Sequence, residues 1–188
     1  MMRFIFLLLV ALPLLADPRV IEGAKKQVGV TVGYDGSYRR IGYPNGDVPR
    51  ETGVCTDVII RAYRHIGVDL QKLVHEDMKT HFAAYPKNWG LRRPDTNIDH
   101  RRVPNLATFF TRRGAKLSVT RKGADYRPGD IVTWRLSSGV PHIGLVSDVR
   151  APNTDRYLVV HNIGGGAQIE DVLFAYALTG HYRWAPPT

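Results

Sequence analysis

Apolar positions follow a helical period through the first part of the chain and a strand period after it. Val54, Val58, Ile59, Ala62 and Ile66 recur at near-helical spacing, and Gly67 supplies a stop, so a helix is expected there. Upstream, Asp17-Pro18 sets a capping side chain before a first-turn proline and predicts a helix to Val28 or Gly29. Tyr34 to Asp47 is rich in Gly, Tyr and turn residues, with turn signals at Tyr34-Asp35-Gly36 and Pro44-Asn45-Gly46-Asp47 around an expected hairpin. Asp69 caps the next predicted helix. Its apolar face is Leu70, Leu73, Val74, Met78, Phe82 and Tyr85, and Pro86 ends it. Pro86 to Pro104 reads as a polar, basic loop, and a short helix holding Leu106, Phe109 and Phe110 stops at Gly114.

From Lys116 the pattern changes. Leu117 to Thr120, Asp130 to Leu136, His142 to Asp148, Tyr157 to Ile163 and Leu178 to Trp184 read as strands between Gly, Pro and Asn turns, with Val172 to Tyr176 undecided. Helices first and strands later predict an α+β fold, with N-terminal helices packed on a mostly antiparallel sheet. A length of 188 residues supports one domain with a real core.

The chain starts Met1-Met2-Arg3, runs apolar from Phe4 to Leu15 and reaches Ala16. This has the form of a signal peptide over residues 1–16, with a mature domain over residues 17–188. The run is short for a bilayer span, so no stable membrane span is expected after its removal. The expected location is periplasmic or secreted. The net charge of +9 fits an anionic partner, and export favours peptidoglycan or another anionic envelope polymer over nucleic acid.

Export also changes the meaning of Cys55, the sole cysteine. An unpaired cysteine in an exported protein can be a reactive thiol, an inert core thiol or half of an intermolecular bridge. Cys55 shares a helix side with Ile59 and Ala62, so its thiol is expected to point inward. Its place in a first helical turn favours the thiolate. His142 opens one predicted strand and His161 ends another. If those strands are neighbours, both rings meet at one end of the sheet, where the cysteine helix docks. A thiol, a base and a group that orients the base are the parts of a cysteine nucleophile.

Four stretches resemble the NlpC/P60 peptidases, papain-like bacterial cell-wall hydrolases. They are Ala24 to Val30 with the turn at Tyr34, Gly53-Val54-Cys55-Thr56-Asp57, Arg127-Pro128-Gly129-Asp130-Ile131-Val132, and His142-Ile143-Gly144 followed by His161. The mature chain is more closely similar to a bacterial family catalogued only as a domain of unknown function, through Gly-Val-Cys-Thr-Asp, Asn97 to Leu106 and His161-Asn162-Ile163-Gly164. The sequence departs from the NlpC/P60 pattern in placing its acidic residue, Asp57, after the cysteine, and in a long insertion before the first strand.

The resemblance implies a papain-like NlpC/P60-type domain in which Cys55 attacks an amide carbonyl. His142 then acts as base and acid, and His161 orients it, with Asn162 as the alternative orienter. It also implies a backbone oxyanion donor at Cys55, assisted by Tyr34 or Tyr43. Arg101 and Arg102 are candidate contacts for substrate carboxylates, with ion pairing to Asp95 or Asp99 as the alternative. The expected activity is cleavage of an amide in the cell envelope, in peptidoglycan stem peptides, through a Cys55 thioester. A papain-like acyltransferase and a non-catalytic envelope-binding module remain open.

No cofactor is expected. Asp95 to Asp99 opens like a calcium loop, but His100 replaces its glycine and Leu106 its terminal glutamate. Gly164-Gly165-Gly166 lacks the Lys-Ser/Thr of a phosphate loop, and His65, His75, His81 and His181 lack metal-ligand spacing.

Overall fold

The computed structural model describes residues 17–186; the expected leader over residues 1–16 lies outside them. Helix α1 (Pro18–Lys25) starts where Asp17 accepts a hydrogen bond from the Arg19 backbone N–H, and it buries Val20, Ile21 and Ala24. Helices α2 (Cys55–Arg64), α3 (Leu70–Thr80) and α4 (Val103–Arg112) follow. The cap expected at Asp69 forms, through its carboxylate and the Gln71 N–H. The α1 helix ends short of Val28 because the backbone tightens into turns from Ala24 onward.

Six strands form one sheet: β3 (Lys116–Leu117), β4 (Ile131–Arg135), β5 (Pro141–Arg150), β6 (Tyr157–Asn162), β7 (Ala167–Glu170) and β8 (Ala177–Tyr182). Their spatial order is β3-β8-β4-β5-β6-β7, and every neighbouring pair is antiparallel. This is the α+β, mostly antiparallel arrangement that the sequence predicts. Two sequence expectations change. Residues 172–176 are not a strand. They lie over the far face of the sheet, where Leu173 is buried beside Trp134 and its carbonyl accepts from the indole N–H. The strand missed by the apolar pattern is β7, whose residues Ala167-Gln168-Ile169-Glu170 alternate apolar and polar but are only four long, too short a run after three glycines to stand out.

The expected hairpin between Tyr34 and Asp47 does not form. Instead β1 (Gly33–Tyr34) and β2 (Thr52–Gly53) make a short parallel pair, joined by a long turn-rich loop. The loop is tied elsewhere. Asn45 and Gly46 donate to Asp69 and Gln71, and Ile41 donates to Asn97. Side chains of the helix layer therefore take the backbone bonds that a hairpin partner would have used.

The core sits between the helices and one face of the sheet. α2 is central to it: Cys55, Val58, Ile59, Ile60, Ala62 and Tyr63 are all buried, with Ile131, Ile143, Leu145 and Val160 on the sheet side. Tyr63, Phe109, Phe110, Tyr182 and Trp184 close one end as an aromatic cluster, and Tyr63 donates to the Trp184 carbonyl. Burial of these rings supplies about 1.5–3 kcal/mol each by the usual area relation. It holds the helix carrying Cys55 at a fixed height over the sheet.

Candidate active site

The α2 N-terminus is built by Asp57. Its carboxylate reaches back to accept from the Val54 N–H at 2.7 Å, which fixes the first turn in place of a cap from the apolar Val54. The same carboxylate takes two 2.9 Å bonds from Arg101, and both side chains are 2 % exposed. Arg101 also returns its backbone carbonyl to the Thr56 hydroxyl and donates to the Asp35 carbonyl. One buried ion pair thus ties the cysteine turn to the segment before α4 and to the Tyr34–Asp35 strand end.

Cys55 is buried, and the backbone of Ile143 lies near enough to its sulfur to favour the thiolate. Ile143 follows His142 directly on β5. The thiol therefore meets β5 at the residue that follows the candidate base. No hydrogen bond joins the sulfur to the imidazole in this resting structure, which is common for catalytic pairs before substrate arrives.

The His142 ring lies parallel to Trp134, its cross-strand partner on β4, with centroids 5.6 Å apart. Gly144 makes room for this, since a Cβ there would press on Val159 and Trp134. His142 Nε2 is 2.9 Å from His161 Nδ1, so β5 and β6 bring the two histidines together as expected. His161 Nε2 is in turn 2.8 Å from Glu170 Oε2. Glu170 is the residue that sequence reasoning missed. It stands on β7 opposite Val159, diagonal to His161, within side-chain reach across an antiparallel pair. A strand read correctly at residues 167–170 would have put it beside His161.

The bonds have a direction. A carboxylate only accepts, so His161 Nε2 carries a proton and His161 Nδ1 offers a lone pair. His142 Nε2 must then donate, which leaves His142 Nδ1 as the unprotonated nitrogen. It has no hydrogen-bond partner among the described residues. The chain Glu170–His161–His142 therefore prepares a base at Nδ1.

The protonation of the pair departs from the sequence expectation. Burial pushes the Cys55 thiol up to about 12, with the nearby Asp57 charge adding to the rise and the Ile143 amide opposing it. Burial, and then the charge of His161, lower His142 to about 3. Burial also lowers His161, against the pull of Glu170. The first-turn position does favour thiolate, but loss of hydration outweighs it. In the resting state both the thiol and the imidazole are neutral.

Burial raises the Tyr34 phenol to about 12, and Cys55 and Asp57 lie near enough to add to the rise. Its hydroxyl therefore stays neutral. Tyr43 is elsewhere, edge-on to His75 of α3 with centroids 5.1 Å apart, so it has no place at the oxyanion. Asn162 does not orient His142. Successive strand residues face opposite sides, so with His161 turned to His142 its neighbour points the other way. Asn162 donates to the Gly33 and Gly53 carbonyls, both at 3.1 Å, and clips the strands that carry Tyr34 and lead into Cys55. Arg101 is consumed by Asp57 and cannot meet a substrate carboxylate. Arg102 reaches Asp99 at 3.4 Å and lies over the Trp89 ring. Among the described residues no group of His, Cys, Asp and Glu is arranged to hold a metal ion, and no helix is long and apolar enough to cross a membrane.

The model of a domain of unknown function, DUF1287, matches residues 21–184. Among curated proteins, the uncharacterized protein YijF of Escherichia coli K12 is 56 % identical over 165 residues, covering 88 % of this chain and 80 % of that protein. Among solved structures, a Staphylococcus aureus protein described as similar to lipoprotein, NLP/P60 family, matches with a TM-score of 0.44 at 12 % identity. The match covers 90 % of this chain and 42 % of that one, so the chain spans less than half of its length.

Proposed function

The chain belongs to the DUF1287 family, and for it we propose an exported cysteine hydrolase that cleaves an amide bond in the bacterial cell envelope, within peptidoglycan stem peptides. The observation that carries this reading is the hydrogen-bonded line His142–His161–Glu170 on the sheet against which the buried Cys55 packs, its sulfur near the backbone of Ile143, the residue after His142. Packing alone does not call for a line of three polar side chains that leaves a lone pair on a buried imidazole.

In this reading the Cys55 sulfur attacks the amide carbonyl carbon as its proton passes to His142 Nδ1. The carbonyl oxygen becomes an oxyanion, received by the Cys55 backbone N–H, which has no intrahelical partner at this position, and by the Tyr34 hydroxyl. The imidazolium formed at His142 is stabilised through His161 by the Glu170 carboxylate. His142 then gives the proton to the departing amine as the C–N bond breaks, leaving a Cys55 thioester. Water, deprotonated by His142, attacks that thioester, and the proton returns to the sulfur as the acid leaves.

The neutral resting pair suits a thiol that ionises only when substrate is bound. It also protects an unpaired cysteine from oxidation in an oxidising compartment. Residues 17–188 incubated with purified wall fragments should release new amino termini. Cys55→Ala and His142→Ala should each abolish the release. Turnover that persists without the thiol, or wild-type binding of fragments without turnover, would replace the hydrolase reading with that of a binding module.

A further inference from the structure

Away from the thiol, the long insertion between α3 and α4 folds against the loop after Tyr34 and leaves an open cleft of about 850 Å³, within the size range of ligand sites. Tyr38 and Arg40 form one wall, and Trp89, Arg92, Arg93 and Arg102 stand on the other. The charge there is unbalanced. Arg39 has Asp35 and Arg102 has Asp99, but Arg40, Arg92 and Arg93 have no carboxylate partner among the described residues. Asp95, the acidic residue lining the cleft, is already engaged by the Tyr38 hydroxyl and by Asn97.

Two aromatic faces are open in the same place. Trp89 is 55 % exposed and Tyr38 is 56 % exposed, whereas Trp134 and Trp184 are buried. Trp89 is held in the left-handed region at φ 65°, a conformation unfavourable for a non-glycine residue. The Arg102 guanidinium lies 4.2 Å from its ring centroid and fixes the indole from behind. An exposed indole kept in a costly conformation, among unpaired guanidiniums, is a surface built to receive something. Single small anions match it poorly, because the free guanidiniums are divided between two walls. A chain with carboxylates spaced along it can pair with both walls by bidentate bonds and lay its carbon skeleton on the rings.

We propose that this cleft is a subsite for an acidic, carboxylate-bearing peptide, and that it holds the part of the substrate flanking the amide presented to Cys55. The second half of the proposal rests on the hydrolase reading. It is supported by continuity: Tyr34 at the thiol and Tyr38 in the cleft are four residues apart on one segment, so their Cα atoms lie within about 14 Å. The anion-binding role that the sequence suggested for Arg101 and Arg102 thus falls to Arg40, Arg92 and Arg93.

The exposed Trp89 provides the readout. Titration of the full mature chain with tetraglutamate should shift its tryptophan emission saturably. Tetraglutamine should bind at least about tenfold more weakly, as expected when charge-assisted bonds are lost. Arg92→Gln/Arg93→Gln should weaken tetraglutamate by a similar factor with an unchanged thermal midpoint, and Trp89→Phe should remove the emission change while calorimetry still detects binding. Inorganic phosphate at matched ionic strength should not reproduce the shift. Absence of a saturable signal, an equal response to phosphate, or unaltered affinity in the arginine variant would each overturn the subsite. The titration is repeated on Cys55→Ala. Failure of the hydrolase reading leaves peptide binding there intact, and failure of the subsite leaves Cys55 alkylation and its dependence on His142 intact.

Discussion

His161 Nε2 and Glu170 Oε2 are 2.8 Å apart, across the diagonal of the β6–β7 pair, and this contact decides which nitrogen of His142 is a base. Without the carboxylate, the two imidazoles can reverse their hydrogen bond and place a proton on His142 Nδ1. Glu170→Gln and Glu170→Ala should therefore slow Cys55 alkylation by about ten- to hundredfold, the usual effect of removing a carboxylate behind a working histidine. Long-range proton–nitrogen spectra should show the His142 tautomer change, and Glu170→Asp should restore it in part. Glu170 is half exposed, so the fold should survive each change. An unaltered tautomer in Glu170→Ala would show that the contact is structural only.

The neutral thiol–imidazole pair has a pH signature. With the thiol at about 12 and His142 at about 3, neither group changes charge between about pH 5 and pH 9. Alkylation by a neutral haloacetamide should be flat over that range in the wild type and at least about tenfold slower throughout in His142→Ala, in line with loss of a general base. A rise centred near the ~8.5 of a free thiol would mean that Cys55 reacts as an ordinary solvated cysteine.

Acid should weaken the fold through its buried histidines. Burial lowers His142 and His100 to about 3, so on unfolding both gain protons at any pH below about 6.5. Their contribution is complete above that pH and is lost as pH falls towards 3. Asp99, raised by burial to about 6, acts oppositely and offsets part of the loss. The urea midpoint should be lower at pH 5.5 than at pH 7.5, and His100→Gln should narrow the difference. An equal midpoint at both values would refute the linkage.

Breaking the Asp57–Arg101 pair should unfold rather than merely weaken catalysis. Removing one member leaves a buried charge unpartnered, which costs about 3–5 kcal/mol. Arg101→Ala should lower the thermal midpoint sharply, while Arg102→Ala, at a partly exposed pair, should change it little. If Arg101→Ala kept its stability and raised only the Michaelis constant, Arg101 would be a substrate contact after all.

Asn162→Ala should loosen the site without touching the histidines. It frees the Gly33 and Gly53 carbonyls, which costs about 1–3 kcal/mol where no water replaces the bonds. Calorimetry should show the loss, and the His142 tautomer should be unchanged. A tautomer change in Asn162→Ala would return it to the role of orienter.

The sequence by itself determined the helices, five of the six sheet strands and the pairing of the two strand histidines. Periodicity is a local property, and α2, α3, α4, β4, β5 and β6 each carry enough of it to be read without a partner. The ordering of one cysteine before two strand histidines was legible for the same reason. Tertiary structure decided what depends on residues distant in the chain. Glu170 became part of the site only when β7 paired with β6, and four alternating residues are too short a run to be read as a strand without that partner. Arg101 looked like a surface charge until Asp57, 44 positions away, took it into the core. Tyr34 and Tyr43 have equal claims in the sequence, yet one lies at the thiol and the other against α3. The protonation of Cys55 was misjudged for a related reason: the helix terminus is written in the sequence, but the burial that outweighs it exists only once helix, sheet and loop have closed around the sulfur.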